Sequence, residues 1–492
     1  MNIADSFLST PLRLIIGEER PAGGGDASAV IDPSTGKQIA TASAADEADV
    51  DRAVRAARAA FDSGPWSRIA PKERARLMLK LADAIEDHAE ELALLESLDV
   101  GHPLPAVRAF EVPAAAEAFR YNAGWATKIN GETREISLPG DWHAFTLRQA
   151  VGVAALILPW NSPLTMTSAK LAGALAAGCT VVIKPADLTP LSTTRLVELA
   201  LEVGFPPGVI NITHGRGSIV GQALVDHPLV DKVSFTGSTQ VGKGILASST
   251  GNLKRVSLEL GGKSPVLIFP DADLDRAIVG AAMSIFNNTG QVCAAGSRLF
   301  VHRDIEDRVI AGVAEFAEKF RVGGSLEEGS QMGPVISAAQ RETVLGYIES
   351  GRAQGAEVVV GGNALDREGF FLKPTVLRGA TPEMTVVREE IFGPVLVTQT
   401  FDDDTDFRTL MGRANDSVYG LSSAIWTRDI SRALRFARDI KAGNVRINAA
   451  AGMDANMPFG GFKESGYGKE NGREGVEGFT EVKSVAINLE EV

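Results

Sequence analysis

Residues 232–242 read KVSFTGSTQVG, and this stretch decides the fold class. The segment Lys232–Thr236 favours a strand, and it runs directly into Gly237 and Ser238 at the start of a helix that contains Gly242. Backbone N–H groups and the helix dipole favour a phosphate at such a turn. The glycine spacing differs from G-x-G-x-x-G, so a dinucleotide cradle and a purely structural tight turn both stay open on local grounds.

The same step from strand to helix repeats along the chain. Short β-branched runs at Val151–Leu158, Thr180–Lys184, Val209–Thr213 and Lys232–Thr236 alternate with helical segments at Leu164–Ala177, Ser192–Val203, Ser218–Asp226 and Ser238–Ser248. A second block, from Ser264 to Ile447, has strands near Ser297–Val301, Val395–Thr398, Ser423–Trp426 and Asn444–Ile447. Strands that alternate with helices form βαβ units. The sequence therefore predicts an α/β fold with two doubly wound domains.

Three further segments lie outside this alternation. Apolar residues recur at helical spacing from Val50 to Phe61 and, after Pro71, from Leu77 to Leu95, which predicts two amphipathic helices. The polar segments Gly131–Arg148 and Thr480–Leu489 read as strands. Because free strand edges promote aggregation, we expect these two segments to pair with another subunit, in a homodimer or homotetramer.

Composition excludes several classes of protein. The 492 residues carry 62 acidic and 49 basic side chains, a formal net charge of −13. Nucleic acids and anionic membranes require clustered cations, so neither is an expected partner, whereas a small molecule is. The two cysteines form no disulfide framework, and the six scattered histidines suggest no metal site. Residues 1–5 lack the features of a signal peptide, which favours a reducing cytoplasm.

Two side chains are candidates for chemistry. Cys293 lies among small and polar residues between a helix and a strand, which leaves room for a substrate, whereas Cys179 reads as a packed core thiol. A free thiol has a pKa of about 8.5, so a nucleophilic cysteine needs a lowered pKa or a base. Glu259, at a strand end before two glycines, is the candidate base, although such a glutamate is often only exposed.

A second pair of polar residues follows the strand Thr180–Lys184. Lys184 ends that strand, and Asp187 comes three residues later. Ligands bind at strand carboxyl ends in doubly wound sheets, and an ammonium with a carboxylate can hold the hydroxyls of a ribose. A solvated strand end is the equally simple alternative.

Taken together, six motifs resemble those of the NAD(P)-dependent aldehyde dehydrogenase superfamily. They appear in the family's order as Pro159-Trp160-Asn161, Phe235-Thr236-Gly237-Ser238, Glu259-Leu260-Gly261-Gly262, Gly290-Gln291-Val292-Cys293, Glu390-Ile391-Phe392-Gly393-Pro394 and Pro458-Phe459-Gly460-Gly461. The intervals of 34 residues from Glu259 to Cys293 and 97 residues from Cys293 to Glu390 also agree with the family. The resemblance covers nearly the whole chain.

The resemblance implies roles for individual residues. Cys293 would be the nucleophile, Glu259 would activate it or the hydrolytic water, and Asn161 would form the oxyanion hole with the backbone N–H of Cys293. The implied cofactor contacts are Trp160, Lys184, Asp187, Gly237, Ser238, Gly242, Leu260, Glu390 and Phe392. Asp187 would repel the 2′-phosphate of NADP, so NAD is the expected cofactor and NADP the less favoured one. The implied divisions are a cofactor-binding domain (1–130 and 151–261), a catalytic domain (262–463) and an oligomerisation arm (131–150 and 475–492).

The resemblance also implies a substrate tunnel. Its expected lining is Ser162, Met166, Asn287, Val292, Ala294, Met453 and Phe459. Many relatives carry an aromatic residue at the position of Ser162, and the lining has no Lys or Arg to hold a carboxylate. We therefore expect a bulky, uncharged aldehyde, aromatic and bearing hydroxyl or ether groups among the candidates.

Three alternatives remain at this stage. A coenzyme A-acylating relative is the nearest, but a glutamate at position 259 favours water as the acyl acceptor. A cofactor-independent cysteine hydrolase would need only Cys293 and Glu259 and would leave Lys184, Ser238 and Glu390 without a role. A non-catalytic binding protein would not need every chemical position filled by the expected residue type.

Overall fold

A parallel sheet forms the first half of the fold. The computed structural model describes residues 7–450, 452 and 454–490. Six strands lie in the order Gly466–Tyr467, Arg255–Glu259, Lys232–Thr236, Val153–Ile157, Thr180–Lys184 and Ile210–Ile212. All pairs are parallel except the two-residue strand Gly466–Tyr467, which runs antiparallel to Arg255–Glu259.

A second sheet of seven strands follows. Its order is Glu357–Val360, Thr375–Arg378, Val395–Phe401, Arg298–His302, Pro265–Ile268, Ser422–Trp426 and Asn444–Ile447. The strand Glu357–Val360 is antiparallel to its neighbour, and the other pairs are parallel.

Both large sheets are covered on both faces, which makes each of them doubly wound. Successive residues of a strand point to opposite faces, so Leu156 packs into one apolar cluster and Ala155 into another. In the second sheet Val266 and Leu267 divide in the same way. Strands buried on both sides read as continuous apolar runs, and the sequence shows this for both domains.

The helices surround these sheets. The α-helices are Glu47–Asp62, Pro71–Asp87, Ala89–Val100, Leu104–Ala106, Val112–Ala123, Pro163–Ala177, Leu191–Glu202, Gln222–Asp226, Thr239–Ser248, Leu274–Phe286, Glu306–Lys319, Ala338–Ala353, Thr385–Arg388, Phe407–Asn415, Ile430–Asp439 and Gly472–Glu477. Two π-helical turns occur at Val107–Glu111 and Gly217–Gly221, and short 3₁₀ turns at Pro65–Arg68, Ser249–Gly251, Asn287–Gly290, Arg303–Ile305 and Lys463–Ser465. Within the described ranges, no helix has the length and apolar character needed to cross a bilayer.

Two smaller sheets complete the fold. Gly25–Asp32 and Lys37–Ala44 form an antiparallel hairpin near the N-terminus. Thr480–Asn488 pairs antiparallel with Trp142–Ala150, which in turn pairs with Thr133–Arg134. Thr480–Leu489 was thus predicted correctly as a strand, whereas the predicted strand Gly131–Arg148 contains two strands separated by residues 135–141. The segments pair with each other within one chain, where we had expected pairing with another subunit.

The structure confirms the predicted fold class and corrects the prediction in two further places. The apolar stripe from Leu77 to Leu95 is divided between two helices, because His88 leaves helical geometry at φ −104° and ψ 22°. The hairpin Gly25–Ala44 was not predicted, since its strands are rich in Ala, Ser and Thr and carry little hydrophobic alternation.

Candidate active site

Two loops meet at the carboxyl ends of the parallel strands. The first follows the strand Val153–Ile157 and carries Asn161, and the second carries Cys293. The Asn161 Nδ2 donates to the Gln291 carbonyl oxygen over 2.8 Å, and the Asn288 Nδ2 donates to the Asn161 carbonyl oxygen over 2.7 Å. These reciprocal hydrogen bonds fix the Asn161 amide beside the cysteine loop.

The loop that precedes Cys293 has an unusual backbone. Asn288, Thr289 and Gly290 have φ values of 45°, 56° and 71° in succession. Non-glycine residues in this region cost about 1–3 kcal/mol each and persist where the surroundings hold them, often at functional sites. Here Thr289 Oγ1 donates to the Gly333 carbonyl, and Gln291 Oε1 accepts from the Ile336 N–H over 2.9 Å. The loop is therefore held by its environment.

Cys293 is an unpaired, half-buried thiol. It packs beside a small apolar cluster of Ala294, Leu421 and Phe459. Burial raises the pKa of the Cys293 thiol to about 12, and the carboxylates of Glu390 and Glu259 add to the shift. The sulfur must therefore lose its proton before it can attack.

Glu259 is buried, and its side chain packs against Gly460, where any larger residue would collide with it. Only 3% of the residue is exposed. A Cβ on Gly460 would come within 2.6 Å of the Glu259 Oε1. The Glu259 Oε2 is buried and has no hydrogen-bond partner among the described residues. Burial, and after it the nearby Glu470, raise the pKa of Glu259 well above its usual value.

Lys170 and Glu470 form a buried ion pair that sequence analysis did not identify. The Lys170 ammonium is fully buried and contacts the Glu470 carboxylate, and it also donates to Ser234 Oγ over 3.1 Å. Glu470 raises and Lys170 lowers the pKa of Glu259, so the pair is electrostatically linked to the candidate base. The available signal was a single lysine in the otherwise uncharged helix Pro163–Ala177.

Arg446 is a second cation that sequence analysis did not identify. It lines a cavity together with Ala294, Ser284 and Trp426. Its Nη1 donates to the Ala450 carbonyl oxygen over 3.0 Å, and burial lowers the pKa of the guanidinium. A polar group therefore lies behind the cysteine loop, at a strand position that the predicted tunnel did not include.

The predicted cofactor contacts fall at two strand ends. Lys184 is 3% exposed, and its Nζ donates to Asp187 Oδ1 over 2.6 Å and to the Pro185 carbonyl. Ser238 begins the helix Thr239–Ser248 and accepts from the Val241 N–H. Gly242 faces Leu260, whose side chain would lie 2.6 Å from a Cβ there.

The remaining predicted cofactor contacts lie near the cysteine loop. The rings of Trp160 and Phe392 meet edge to face at 5.1 Å. Glu390 Oε1 accepts from the Gly262 N–H over 2.9 Å, and burial raises the pKa of this carboxyl to about 7.

These residues fit a dinucleotide. A buried ammonium beside a carboxylate suits the hydroxyls of a ribose, and a helix start after Gly237 suits a phosphate. A Cβ on Gly244 would meet no atom of the described chain within 4 Å, so the exposed face of that helix is open. Trp160 and Phe392 supply aromatic groups near the cysteine loop, and Glu390 supplies a carboxylate there.

The structure brings some of the predicted substrate residues together. Val292, Ala294 and Phe459 pack around Cys293 in one cluster. Ser162 follows Asn161, and its hydroxyl oxygen lies 3.5 Å from Glu111 Oε1. Met166 is half-buried and Asn287 exposed, and both lie outside that cluster. Met453 falls outside the described residues.

Comparisons with known proteins identify the family and the fold. The model of the aldehyde dehydrogenase family matches residues 21–485. The chain is 46% identical to phenylacetaldehyde dehydrogenase of Pseudomonas fluorescens over 93% of this chain and 92% of the relative, and 45% identical to human retinal dehydrogenase 2 over 94% and 88%. It is also similar to an aldehyde dehydrogenase of Bacillus cereus solved as an NAD⁺ complex, with a TM-score of 0.97, 45% identity, and coverage of 100% of this chain and 99% of that one.

Proposed function

This chain belongs to the aldehyde dehydrogenase family, and we propose that it oxidises an aldehyde to a carboxylic acid through a covalent intermediate on Cys293. The family makes it an NAD(P)-dependent aldehyde dehydrogenase. The observation that carries the proposal is the joining of the Asn161 amide to the Cys293 loop, with the buried Glu259 close enough to affect the thiol's pKa. A nucleophile, a base and an oxyanion donor therefore occupy one site.

The first step makes the carbon–sulfur bond. The thiol proton passes to solvent, through Glu259 or through water, so that Glu259 is again deprotonated for the third step, and the Cys293 sulfur adds to the aldehyde carbon to give a thiohemiacetal. The aldehyde oxygen gains the negative charge, and we expect the Asn161 amide and the Cys293 N–H to bind it. One such donor is typically worth about 3 kcal/mol in the transition state.

The second step removes the carbon-bound hydrogen. NAD, when bound, supplies the hydride acceptor. Because the reacting carbon is bound to the Cys293 sulfur, the hydride is transferred from a fixed position rather than after a chance encounter in solution. Loss of the hydride restores the carbonyl and leaves a thioester on the Cys293 sulfur.

The third step is hydrolysis. Glu259 accepts a proton from water, the water oxygen adds to the thioester carbon, the Cys293 sulfur leaves as a thiolate while the carboxylic acid forms, and Glu259 returns the proton to that sulfur. A raised pKa suits Glu259 for this work, because it makes the carboxylate a stronger base that can both accept and return a proton. The carboxyl at this position supports water rather than coenzyme A as the acyl acceptor.

We propose NAD rather than NADP as the cofactor. The proposal is supported by the carboxylate of Asp187, which Lys184 holds and which the resemblance assigns to the ribose contact. A 2′-phosphate adds about −1.5 to −2 charges and would be repelled there. The NAD⁺ complex of the Bacillus cereus relative supports this assignment.

We propose a bulky, uncharged aldehyde, including aromatic ones, as the substrate. Ser162 is a small side chain beside Asn161, and Val292, Ala294 and Phe459 offer an apolar wall. The similar protein of Pseudomonas fluorescens is named for phenylacetaldehyde, which supports this class. Ser162, Met166, Asn287 and Met453 stay predicted contacts.

We also propose the domain limits and assembly that the resemblance implies. The six-stranded sheet draws most of its strands from 151–261, and the seven-stranded sheet lies within 262–463. The sheet of Thr133–Arg134, Trp142–Ala150 and Thr480–Asn488 supports an arm that joins subunits into a homodimer or homotetramer. Two unpaired cysteines support a cytoplasmic location.

An aldehyde panel tests the proposal. Purified enzyme is given NAD, with and without coenzyme A, and phenylacetaldehyde, acetaldehyde or succinic semialdehyde; NADH is followed by absorbance, and the acyl product is identified. NADH with one equivalent of phenylacetic acid is expected. Formation of an acyl-coenzyme A only, with no acid, would contradict hydrolysis.

A further inference from the structure

A carboxylate that the mechanism does not use contacts Ser162, the residue that follows Asn161. Glu111 ends the π-helical turn Val107–Glu111, in which the Val112 N–H donates to the Val107 carbonyl. Such turns are rare and are frequent at functional sites. The extra residue of the turn brings the Glu111 side chain against the start of the helix Pro163–Ala177. Only 15% of that side chain is exposed.

The two oxygens of Glu111 are held differently. Oε2 accepts a short hydrogen bond from the Thr165 hydroxyl. Oε1 accepts one long hydrogen bond of 3.5 Å from the Ser162 hydroxyl, and the His102 ring lies farther away. A carboxylate oxygen can accept two hydrogen bonds, and a 3.5 Å contact is weak. Oε1 therefore keeps capacity to accept from another donor at the Ser162 position.

The charge of Glu111 has no strong cationic partner in the described chain. The nearest is His102, whose Nδ1 is 3.8 Å from Oε1, and burial lowers the pKa of that imidazole, so it is neutral at neutral pH. The neighbouring Glu96 has its pKa raised to about 8 by burial and next by the charge of Glu111. The negative charge of Glu111, with only part of its hydrogen-bonding capacity used, thus contacts Ser162, which follows Asn161.

From this arrangement we propose that Glu111 is a specificity-determining residue, which accepts a hydrogen bond from a hydroxyl group on the aldehyde's tail and disfavours aldehydes that carry a carboxylate. The inference rests on the proposed function, since it assigns a tail group to the aldehyde bound at Cys293. Hydroxyls are the donors that this carboxylate already binds, in Ser162 and Thr165. A substrate hydroxyl at Oε1 would replace the weak Ser162 contact.

Three aldehydes and two variants test the proposal. The probes are 4-hydroxyphenylacetaldehyde, phenylacetaldehyde and succinic semialdehyde, and the variant is Glu111→Gln, which keeps the shape and removes the charge. The matched control is Glu117→Gln, an exposed carboxylate on the following helix Val112–Ala123. Thermal unfolding of each variant reports whether the fold is retained.

In Glu111→Gln, kcat/KM should change in opposite directions for the hydroxylated aldehyde and for succinic semialdehyde. The kcat/KM of Glu111→Gln should fall about fivefold for the hydroxylated aldehyde relative to phenylacetaldehyde, because hydrogen bonds to a charged acceptor are about twice as strong as neutral ones. For succinic semialdehyde the same variant should gain activity, since a repulsion is removed. Glu117→Gln should leave both ratios unchanged.

A merely structural Glu111 would lower kcat/KM for all three aldehydes together, and that result would overturn the inference. An unchanged ratio of the two phenyl substrates in Glu111→Gln would overturn it as well. In both cases the enzyme still oxidises aldehydes, so the proposed function stands. If wild-type enzyme forms no NADH from any of the three aldehydes, the proposed function itself fails, and the inference with it.

Discussion

Replacing Gly460 with alanine should displace the candidate base without removing it. Gly460 has φ +153°, and a Cβ there would lie 2.6 Å from Glu259 Oε1 and 2.9 Å from the Gly468 carbonyl oxygen. Because the second neighbour is backbone, the carboxylate must move, by about 0.8 Å to reach an ordinary contact of 3.4 Å. A displacement of about 1 Å at a reacting group can cost about 100-fold in rate, which is about 2.7 kcal/mol.

The backbone strain of that substitution can be separated from the displacement. Gly452 has the same φ of +153°, but a Cβ there would meet no described atom within 4 Å. Gly452→Ala therefore introduces the same backbone strain without displacing a neighbouring side chain. Stopped-flow NADH absorbance is recorded for both variants. Gly460→Ala should keep a burst of NADH and lose about 100-fold in steady turnover, while Gly452→Ala stays within a few fold of wild type. Equal steady rates in the two variants would refute the reasoning.

The remaining predictions concern cofactor, substrate and pH. Asp187→Asn should reduce the preference for NAD over NADP about tenfold in kcat/KM, since one partly exposed repulsion is removed; an unchanged ratio would remove Asp187 from cofactor selection. Ser162→Phe should raise KM for phenylacetaldehyde far more than for acetaldehyde because it narrows the tunnel, and equal effects on both would argue against a wide pocket. Steady turnover should rise with pH through the raised pKa of Glu259, because the deprotonated carboxyl is the active form. Glu259→Gln should lack this limb of the pH profile, and a rising limb that persists in the variant would assign it to another group.

The winding of the two sheets was predictable because it depends on local patterns. Strands such as Thr180–Lys184 and Lys232–Thr236 have the predicted bounds. Each is a short run of apolar and β-branched residues followed by a helix signal, so neighbours in sequence contain the information. The hairpin Gly25–Ala44 and the helix break at His88 have no comparable local signal.

The site was predictable in its residue types but not in its electrostatics. Cys293, Glu259 and Asn161 stand out through motifs, yet the burial of Glu259 depends on the loop that contains Gly460. The partner of Lys170 is 300 residues away in sequence. Contacts of this kind are set by how separate elements pack, and no periodicity in the chain reports them.

The environment of Glu111 was likewise not predictable from the sequence. The sequence around it, VRAFEV, reads as ordinary helix, and nothing in it indicates a π-helical turn. Only the packed structure shows that this carboxylate reaches Ser162 and Thr165. A specificity residue on such a turn is therefore visible only after the fold is known.

The central claim is that the reaction passes through an acyl group on Cys293, which Glu259 helps to release. Its most direct test is mass spectrometry of Glu259→Gln quenched in acid after mixing with NAD and phenylacetaldehyde. The account predicts one NADH per active site in a burst and a phenylacetyl adduct on the peptide that contains Cys293, with neither signal in Cys293→Ala. A full burst without any adduct on that peptide, or NADH formation by Cys293→Ala at the wild-type rate, would contradict it.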